Sequence, residues 1–170
     1  MSVNKSEILI DANLLAVWLI GTIAIEYLAR FQSETSFNKG DFDLVNTFLM
    51  SFHYISVTPY ILCEVSHMTF DRSKFPSQIK KDLKELLHKL FSTTESWKEH
   101  FPQIKILLTN PSLFLLGLSD ISLWSLSEIK KMPLLTMDGL LAETMNANGL
   151  SVFKFVPSIG IYDPAGALIS

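Results

Sequence analysis

Four short runs of apolar and β-branched residues recur along the chain, and longer stretches with helical spacing separate them. Runs this short and this continuously apolar are typical of strands in a parallel sheet, because helices cover both faces of such a sheet. The alternation of strands with helices predicts an α/β fold, a three-layer α/β/α sandwich with a mainly parallel central sheet. The predicted strands are EILI at 7–10, YISV at 54–57, PLLTM at 133–137 and SVFKFV at 151–156.

The stretches between these strands carry helix signals. After the second strand, Thr58 can cap a helix and Pro59 fits its first turn, because the missing proline N–H would have no helical partner there. Segment 92–117 has no clear pattern, since a Pro-Gln and an Asn-Pro-Ser interrupt it. The other predicted helices cover 14–31, the region around 42–49, 76–91, a span from a Ser119 cap to Lys131, and 138–148.

The size and composition of the chain predict one folded domain. Its 170 residues are 48% hydrophobic and only 18% charged, a balance that supports a well-filled core and argues against disorder. We expect a single domain over residues 1–170, with a core at about 7–156 and a short tail at 157–170. The net charge of −3 argues against a general nucleic-acid coat, although a local basic face stays possible.

The same composition limits the cellular setting. A single cysteine, Cys63, excludes an internal disulfide framework and any multi-cysteine zinc site. The longest uncharged apolar run covers 12–25, whereas a membrane span needs roughly 20 residues. No secretory signal fits the beginning of the chain, because Glu7 and Asp11 interrupt it. These features predict a soluble cytoplasmic protein.

Four carboxylates stand among apolar neighbours at positions where a site could form. Two of them directly follow predicted strands, and ligand sites in open α/β sheets form at the carboxyl ends of strands. Glu26 and Glu143 also have apolar neighbours, but Glu26 lies more than three helical turns past the first strand, and Glu143, five residues past Asp138, points to a different face. The four acids are Asp11 in ILIDANL, Glu64 in ILCEVSH, Asp120 in GLSDISL and Asp138 in LTMDGLL.

Each of these acids, taken singly, also fits a structural role. Asp11 and Asp138 could cap helices, and Asp120 could lie in a first turn, where the helix dipole favours negative charge. If the four converge, however, their charges repel and raise some pKa values unless a cation intervenes. Mg²⁺ and Mn²⁺ prefer such oxygen ligands. That arrangement suits metal-assisted hydrolysis of a phosphodiester.

The fragments ILIDANLL, VTPYILCEVSH, LGLSDISL and LLTMDGLLAE, in this order, resemble the four acidic motifs of the PIN-domain nucleases over about residues 7–156. The resemblance implies an α/β/α sandwich and a Mg²⁺- or Mn²⁺-dependent endoribonuclease that acts on single-stranded RNA. It further implies that Asn13 and Thr136 support the site. The acids that it implies as catalytic and metal-binding are Asp11, Glu64, Asp120 and Asp138.

The resemblance also carries expectations about partners. In many relatives such a domain, standing alone, is the toxin of a bacterial or archaeal toxin–antitoxin pair, as in the virulence-associated protein C-like toxins. Such toxins are often homodimers that a small antitoxin holds inactive. The expected partners are therefore an RNA substrate, an antitoxin and a second copy of the chain.

Other interpretations of the same residues stay open. A PIN-like domain could serve as a non-catalytic binding or scaffold module that acts through protein or RNA contacts. The spacing Glu-x-x-His occurs as Glu64/His67 and Glu85/His88, and paired copies of it form di-iron sites in helical bundles. The strand-like runs disfavour that bundle. An aspartyl phosphatase would need Asp-x-Asp, and Asn13 holds its second position.

Overall fold

A mostly parallel sheet lies at the centre of the protein, whose computed structural model describes residues 6–31, 36–70, 75–103, 105, 109 and 116–169. Within these residues the sheet has six strands in the order β3-β2-β1-β4-β5-β6, and only the β5–β6 pair is antiparallel. The predicted α/β fold with a mainly parallel sheet is confirmed. The strands are β1 (Glu7–Ile10), β2 (Tyr54–Val57), β3 (Trp97–Glu99), β4 (Leu134–Thr136), β5 (Val152–Val156) and β6 (Gly160–Tyr162).

Helices connect the strands in two directions along the sheet. The chain moves from β1 to β2 and β3 in one direction, then returns to β4 and β5 on the other side of β1. Right-handed crossovers that run in opposite directions place their helices on opposite faces, which gives the three-layer sandwich. The helices are α1 (Ala12–Ala24), α2 (Leu28–Phe31), α3 (Lys39–Leu49), α4 (Pro59–Thr69), α5 (Ser77–Thr93), α6 (Leu118–Lys130) and α7 (Gly139–Ala147).

Two strands lie where the sequence predicted none. β3 falls in the segment 92–117, and β6 falls in the tail 157–170. β6 is bonded to β5, so the sheet continues past residue 156, where the core was expected to end. Both are three-residue edge strands, too short for an alternating or continuous apolar pattern to reveal them.

The helix predictions need two corrections. The helix expected over 14–31 is not continuous, because Ala24 leaves the helical region with φ −155° and a 3-10 turn follows at Ile25–Tyr27. The predicted Ser119 cap is wrong, since α6 begins at Leu118 and Gly117 is its N-cap. Thr58, in contrast, caps α4 as expected and accepts a hydrogen bond from the Ile61 N–H at 3.3 Å.

Helix α1 lies at the centre of the core. Ten of its 13 residues are buried, and it packs against α3, α4 and α5. A helix that is apolar on every side must be covered on every side, which explains this central position. Among the described residues, none of the helices combines the length and the apolar character that crossing a membrane requires. The burial of α1 holds its N-terminus, and with it Asp11, in one place.

Gly21 allows α1 and α3 to approach each other closely. A Cβ atom at Gly21 would lie 2.2 Å from Cδ2 of Phe42 and would overlap its ring. Alanine normally favours a helix over glycine by about 1 kcal/mol, but overpacking of this kind costs about 1–3 kcal/mol. We expect Gly21→Ala to lower the free energy of unfolding by about 2 kcal/mol, measured by urea denaturation.

A double-mutant cycle isolates the contact with the Phe42 ring. Phe42→Ala removes the ring, so the added methyl group of Gly21→Ala no longer meets it. In that background Gly21→Ala should no longer destabilise the protein, because the helix preference for alanine, up to about 1 kcal/mol, acts without the clash with the ring. The same loss of stability in both backgrounds would show that the ring is not the cause.

Candidate active site at the carboxyl edge of the sheet

Asp11 is buried at the end of β1, with only 5% of its surface exposed. It is the N-cap of α1, and its Oδ1 accepts a hydrogen bond from the Leu14 N–H at 2.8 Å. Its Oδ2 accepts from the Thr136 hydroxyl at 2.5 Å and from the Met137 N–H at 2.9 Å. Three donors therefore fix the orientation of this carboxylate.

Burial nevertheless raises the pKa of Asp11 to about 6. The hydrogen bonds from Thr136, Leu14 and Met137 lower this pKa, and the negative charge of Asp138 raises it. Desolvation outweighs the three donors because the carboxylate has almost no contact with water. A helix cap on the protein surface would not carry this penalty. Asp11 is thus a carboxylate whose charge is unfavourable in its surroundings.

Thr136 connects Asp11 to the next acid along this edge. It is fully buried at the end of β4, and the register Ile10↔Leu135 places it beside Asp11. Its hydroxyl donates to Asp11 and accepts a hydrogen bond from the Asp138 N–H at 3.0 Å. One hydroxyl therefore ties the end of β1 to the start of α7. Its role as a supporting residue of an active site stays a prediction.

Asp138 caps α7, as the sequence suggested it could. Its Oδ1 accepts a hydrogen bond from the Leu141 N–H at 2.9 Å. The structural role of a cap and a role in the acidic site do not exclude each other, because a carboxylate has two oxygens. From the described residues, no hydrogen bond reaches Oδ2 of Asp138.

Asp120 lies in the first turn of α6, and its Oδ2 accepts a hydrogen bond from the Gly117 N–H at 3.3 Å. Its pKa is raised to about 6, chiefly by burial and then by the charges of Asp138, Glu64 and Asp11. The Gly117 hydrogen bond lowers this pKa by less than the other causes raise it. The charges of three acids that lie far from Asp120 in the sequence therefore act on its carboxyl group at this edge of the sheet.

Glu64 reaches this edge from α4 and is exposed. A buried contact holds α4 against α6, which carries Asp120: Thr58 Oγ1 lies 2.8 Å from Ser122 Oγ. Because the Ser122 hydroxyl donates to the Ser119 carbonyl, the Thr58 hydroxyl must be the donor to Ser122. This pair brings the N-termini of the two helices together, and nothing in the sequence indicated it.

Asn13 lies in the first turn of α1, two residues after Asp11, and is half-buried. Its supporting role stays a prediction. The second Glu-x-x-His pair does not approach a site of its own: Glu85 and His88 are exposed on α5. Glu85 lies 3.7 Å from Lys81 in an ion pair, and His88 contacts Ser92 on the same helix.

A metal ion needs ligands that meet at one point. Within the described residues, no three His, Cys, Asp or Glu side chains are grouped closely enough to hold one. The four acids interact electrostatically without forming a closed set of ligands. Their chemistry fits Mg²⁺ or Mn²⁺, because all the donors are oxygens. A divalent cation would also offset the repulsion that raises the pKa of Asp120.

Lys154 is a cation near this edge that the sequence interpretation overlooked. It pairs with Thr136 across β4 and β5, and its Nζ lies 3.5 Å from the position that a Cβ of Gly139 would occupy. Gly139 directly follows Asp138. The only signal in the sequence was a charged residue inside the otherwise apolar strand SVFKFV.

The fold and the site together define an α/β protein with interacting acids at the carboxyl edge of a parallel sheet. No model of a known protein family matches the chain, and no curated protein matches it. The resemblance to the PIN-domain nucleases therefore stays a prediction that rests on the four motifs and their order.

Proposed function

We propose that this protein is a Mg²⁺- or Mn²⁺-dependent endoribonuclease that cleaves single-stranded regions of RNA. The observation that carries the proposal is the electrostatic interaction of Asp120 with Asp138, Glu64 and Asp11. The raised pKa values of Asp120 and Asp11 mean that their charges destabilise the fold, so a purely structural role explains these two acids poorly. Perturbed carboxylates of this kind are concentrated at functional sites.

Each residue has a distinct part in this proposal. Asp11, Asp120 and Asp138 would hold the ion, and Glu64 would share in coordination or position the attacking water. A bound divalent ion supplies an activated water and neutralises charge on the phosphodiester. Thr136 holds Asp11 in one orientation through its hydroxyl. Asn13 would be the second supporting group.

The narrower role rests on the resemblance. It describes a cytoplasmic toxin that acts as a homodimer and is neutralised by an antitoxin. This role requires that cleavage harm the cell that makes the protein. Growth of cells that express the protein without an antitoxin, compared with cells that express an inactive variant, therefore separates the toxin role from the ribonuclease activity.

The decisive experiment is cleavage of single-stranded RNA by the purified protein. We expect cleavage with Mn²⁺ or Mg²⁺, none with a chelator, and a loss of activity in Asp11→Asn and Glu64→Gln. Glu64 is exposed, so its substitution leaves the core intact. Glu26→Gln is the matched control, because Glu26 is an exposed acid outside the acidic edge.

Two outcomes would contradict the proposal. Cleavage that does not depend on the ion, or full activity in both site variants, would remove these acids from the mechanism. If the protein binds RNA or a partner protein but cleaves nothing with either ion, the non-catalytic binding module becomes the better interpretation.

A further inference from the structure

A groove of about 380 Å³ lies between α7 and the β5–β6 edge of the sheet. Cavities of this size are large enough for a small ligand. Its lining includes Asn146 from α7, Lys154 and Val156 from β5, Tyr162 from β6, and Asp163 and Gly166 from the turn that follows. The groove combines one cation, one aromatic ring and polar groups.

The groove borders the acidic edge through Lys154. This residue lines the groove, and its Nζ lies 3.5 Å from the Cβ position of Gly139, the residue after Asp138. Its backbone pairs with Thr136, whose hydroxyl contacts Asp11. An extended polymer that reaches Asp138 along this side would therefore pass Lys154 and continue into the groove.

The charge of Lys154 is available to a ligand. Among the described residues it forms no hydrogen bond or ion pair. The carboxylate that shares the groove, Asp163, is engaged elsewhere: its Oδ1 accepts hydrogen bonds from the Ala165 N–H at 2.9 Å and the Ala167 N–H at 2.8 Å. These bonds order the turn that forms one wall of the groove. Asp163 keeps its negative charge, so the groove as a whole is close to neutral, and Lys154 is the lining group that can contact a phosphate.

Tyr162 stands beside Lys154. The two residues are directly paired across the antiparallel β5–β6 ladder, so their side chains project to the same face of the sheet. A nucleotide carries an anionic phosphate close to a flat aromatic base. Stacking on an aromatic side chain is a main contribution to the binding of single-stranded nucleic acids, together with cationic contacts to the backbone.

We propose that this groove binds one nucleotide of the RNA strand adjacent to the cleaved bond, with Lys154 contacting a phosphate and Tyr162 stacking on the base. This inference rests on the proposed function, because the acids define where the strand is cut. It also gives the path of the RNA on the protein surface: from the acids, the RNA strand runs across Gly139 toward the β5–β6 edge.

The test measures RNA binding by the full chain without cleavage. A labelled single strand of about ten nucleotides is titrated in the presence of a chelator, with fluorescence anisotropy at several salt concentrations. Lys154→Gln is expected to weaken binding about tenfold and to reduce the slope of log K against log salt by about 0.7, the value for one phosphate contact on a single strand. Lys89→Gln is the matched control, because Lys89 is exposed near the end of α5, before β3 begins at the opposite edge.

Tyr162 provides a second, independent pair of variants. Tyr162→Leu is expected to weaken binding about tenfold, whereas Tyr162→Phe keeps the ring and should stay within about twofold of the wild type. Thermal unfolding of each variant checks that the fold is retained. Unchanged affinity and salt slope in Lys154→Gln, or equal binding by Tyr162→Leu and Tyr162→Phe, would overturn the inference.

The inference and the proposed function fail in different ways. If the wild type cleaves RNA but the groove variants bind it as the wild type does, the groove is wrong and the nuclease stands. If both groove variants weaken binding but the wild type cleaves nothing with either ion, the groove is a nucleotide site and the nuclease is wrong.

Discussion

Asp120→Asn is expected to reduce RNA cleavage on the order of 10³-fold, because the loss of one metal ligand removes several kcal/mol of transition-state stabilisation. The same substitution should stabilise the fold at neutral pH. The pKa of Asp120 is raised to about 6 by burial and by three neighbouring acids, so its charge is unfavourable in the native state. Asparagine removes that charge and can still accept the hydrogen bond from Gly117.

The stability gain should be about 1 kcal/mol, since water screens a carboxylate that is only partly buried. It is measured by thermal or urea unfolding at neutral pH in the absence of divalent ions. Glu128→Gln is the matched control, because Glu128 is exposed near the other end of the same helix. It should change neither stability nor cleavage. An Asp120→Asn variant that keeps its activity, or that unfolds more easily, would contradict this account of the site.

Asp11 should make the metal-free protein less stable as the pH rises from about 4 to about 6. Its pKa is 3.8 when unperturbed and about 6 in the folded chain. Between these values the native state holds a proton that the unfolded state has released, so the free energy of unfolding falls with increasing pH. The full effect is about 3 kcal/mol, from a shift of about two pKa units at 1.36 kcal/mol each.

The comparison with Asp11→Asn isolates this contribution. Other groups titrate in the same range, and Glu7 acts in the opposite direction. Burial raises the pKa of Glu7, but contacts with Ser56, His100 and Lys98 together lower it by more, so the pKa lies below its ordinary value. Glu7 is present in both proteins, so its effect cancels in the difference between their unfolding curves at each pH. A difference that does not change between pH 4 and pH 6 would show that Asp11 is not perturbed.

Local patterns were sufficient for the central strands but not for the edges of the sheet. EILI and YISV form β1 and β2 with the predicted bounds, because strands covered on both faces are apolar at every position. The edge strands β3 and β6 consist of WKE and GIY. Their strand conformation depends on hydrogen bonds to other strands. β3 is bonded to β2, which lies about 40 residues before it in the chain, and β6 is bonded to β5, which lies a few residues before it.

Helix starts were predictable where one side chain could act alone. Thr58 caps α4 because its oxygen has one nearby donor and Pro59 already favours the first turn. At α6 two polar residues, Ser119 and Asp120, lie near the start of the helix. The helix begins at Leu118, earlier than a cap at Ser119 predicts. Asp120 bonds back to Gly117, while the Ser119 carbonyl accepts the Ser122 hydroxyl. The first residue of α6 therefore depends on contacts whose relative strength cannot be predicted from the local sequence.

The four acids could be identified from residue type and position. Carboxylates are rarely buried among apolar neighbours unless they are paired, and the carboxyl ends of parallel strands lie at one edge of the sheet. Their interaction, however, depends on the register of β1 against β4 and on the contact between α4 and α6.

Lys154 illustrates the difference between what the sequence and the tertiary structure determine. In the sequence it is a lone cation in a strand, and only its pairing with Thr136 and Tyr162 places it between the acids and the groove. Residue chemistry is local and can be recognised along the chain, whereas the distance between two side chains is decided by packing between elements far apart in sequence.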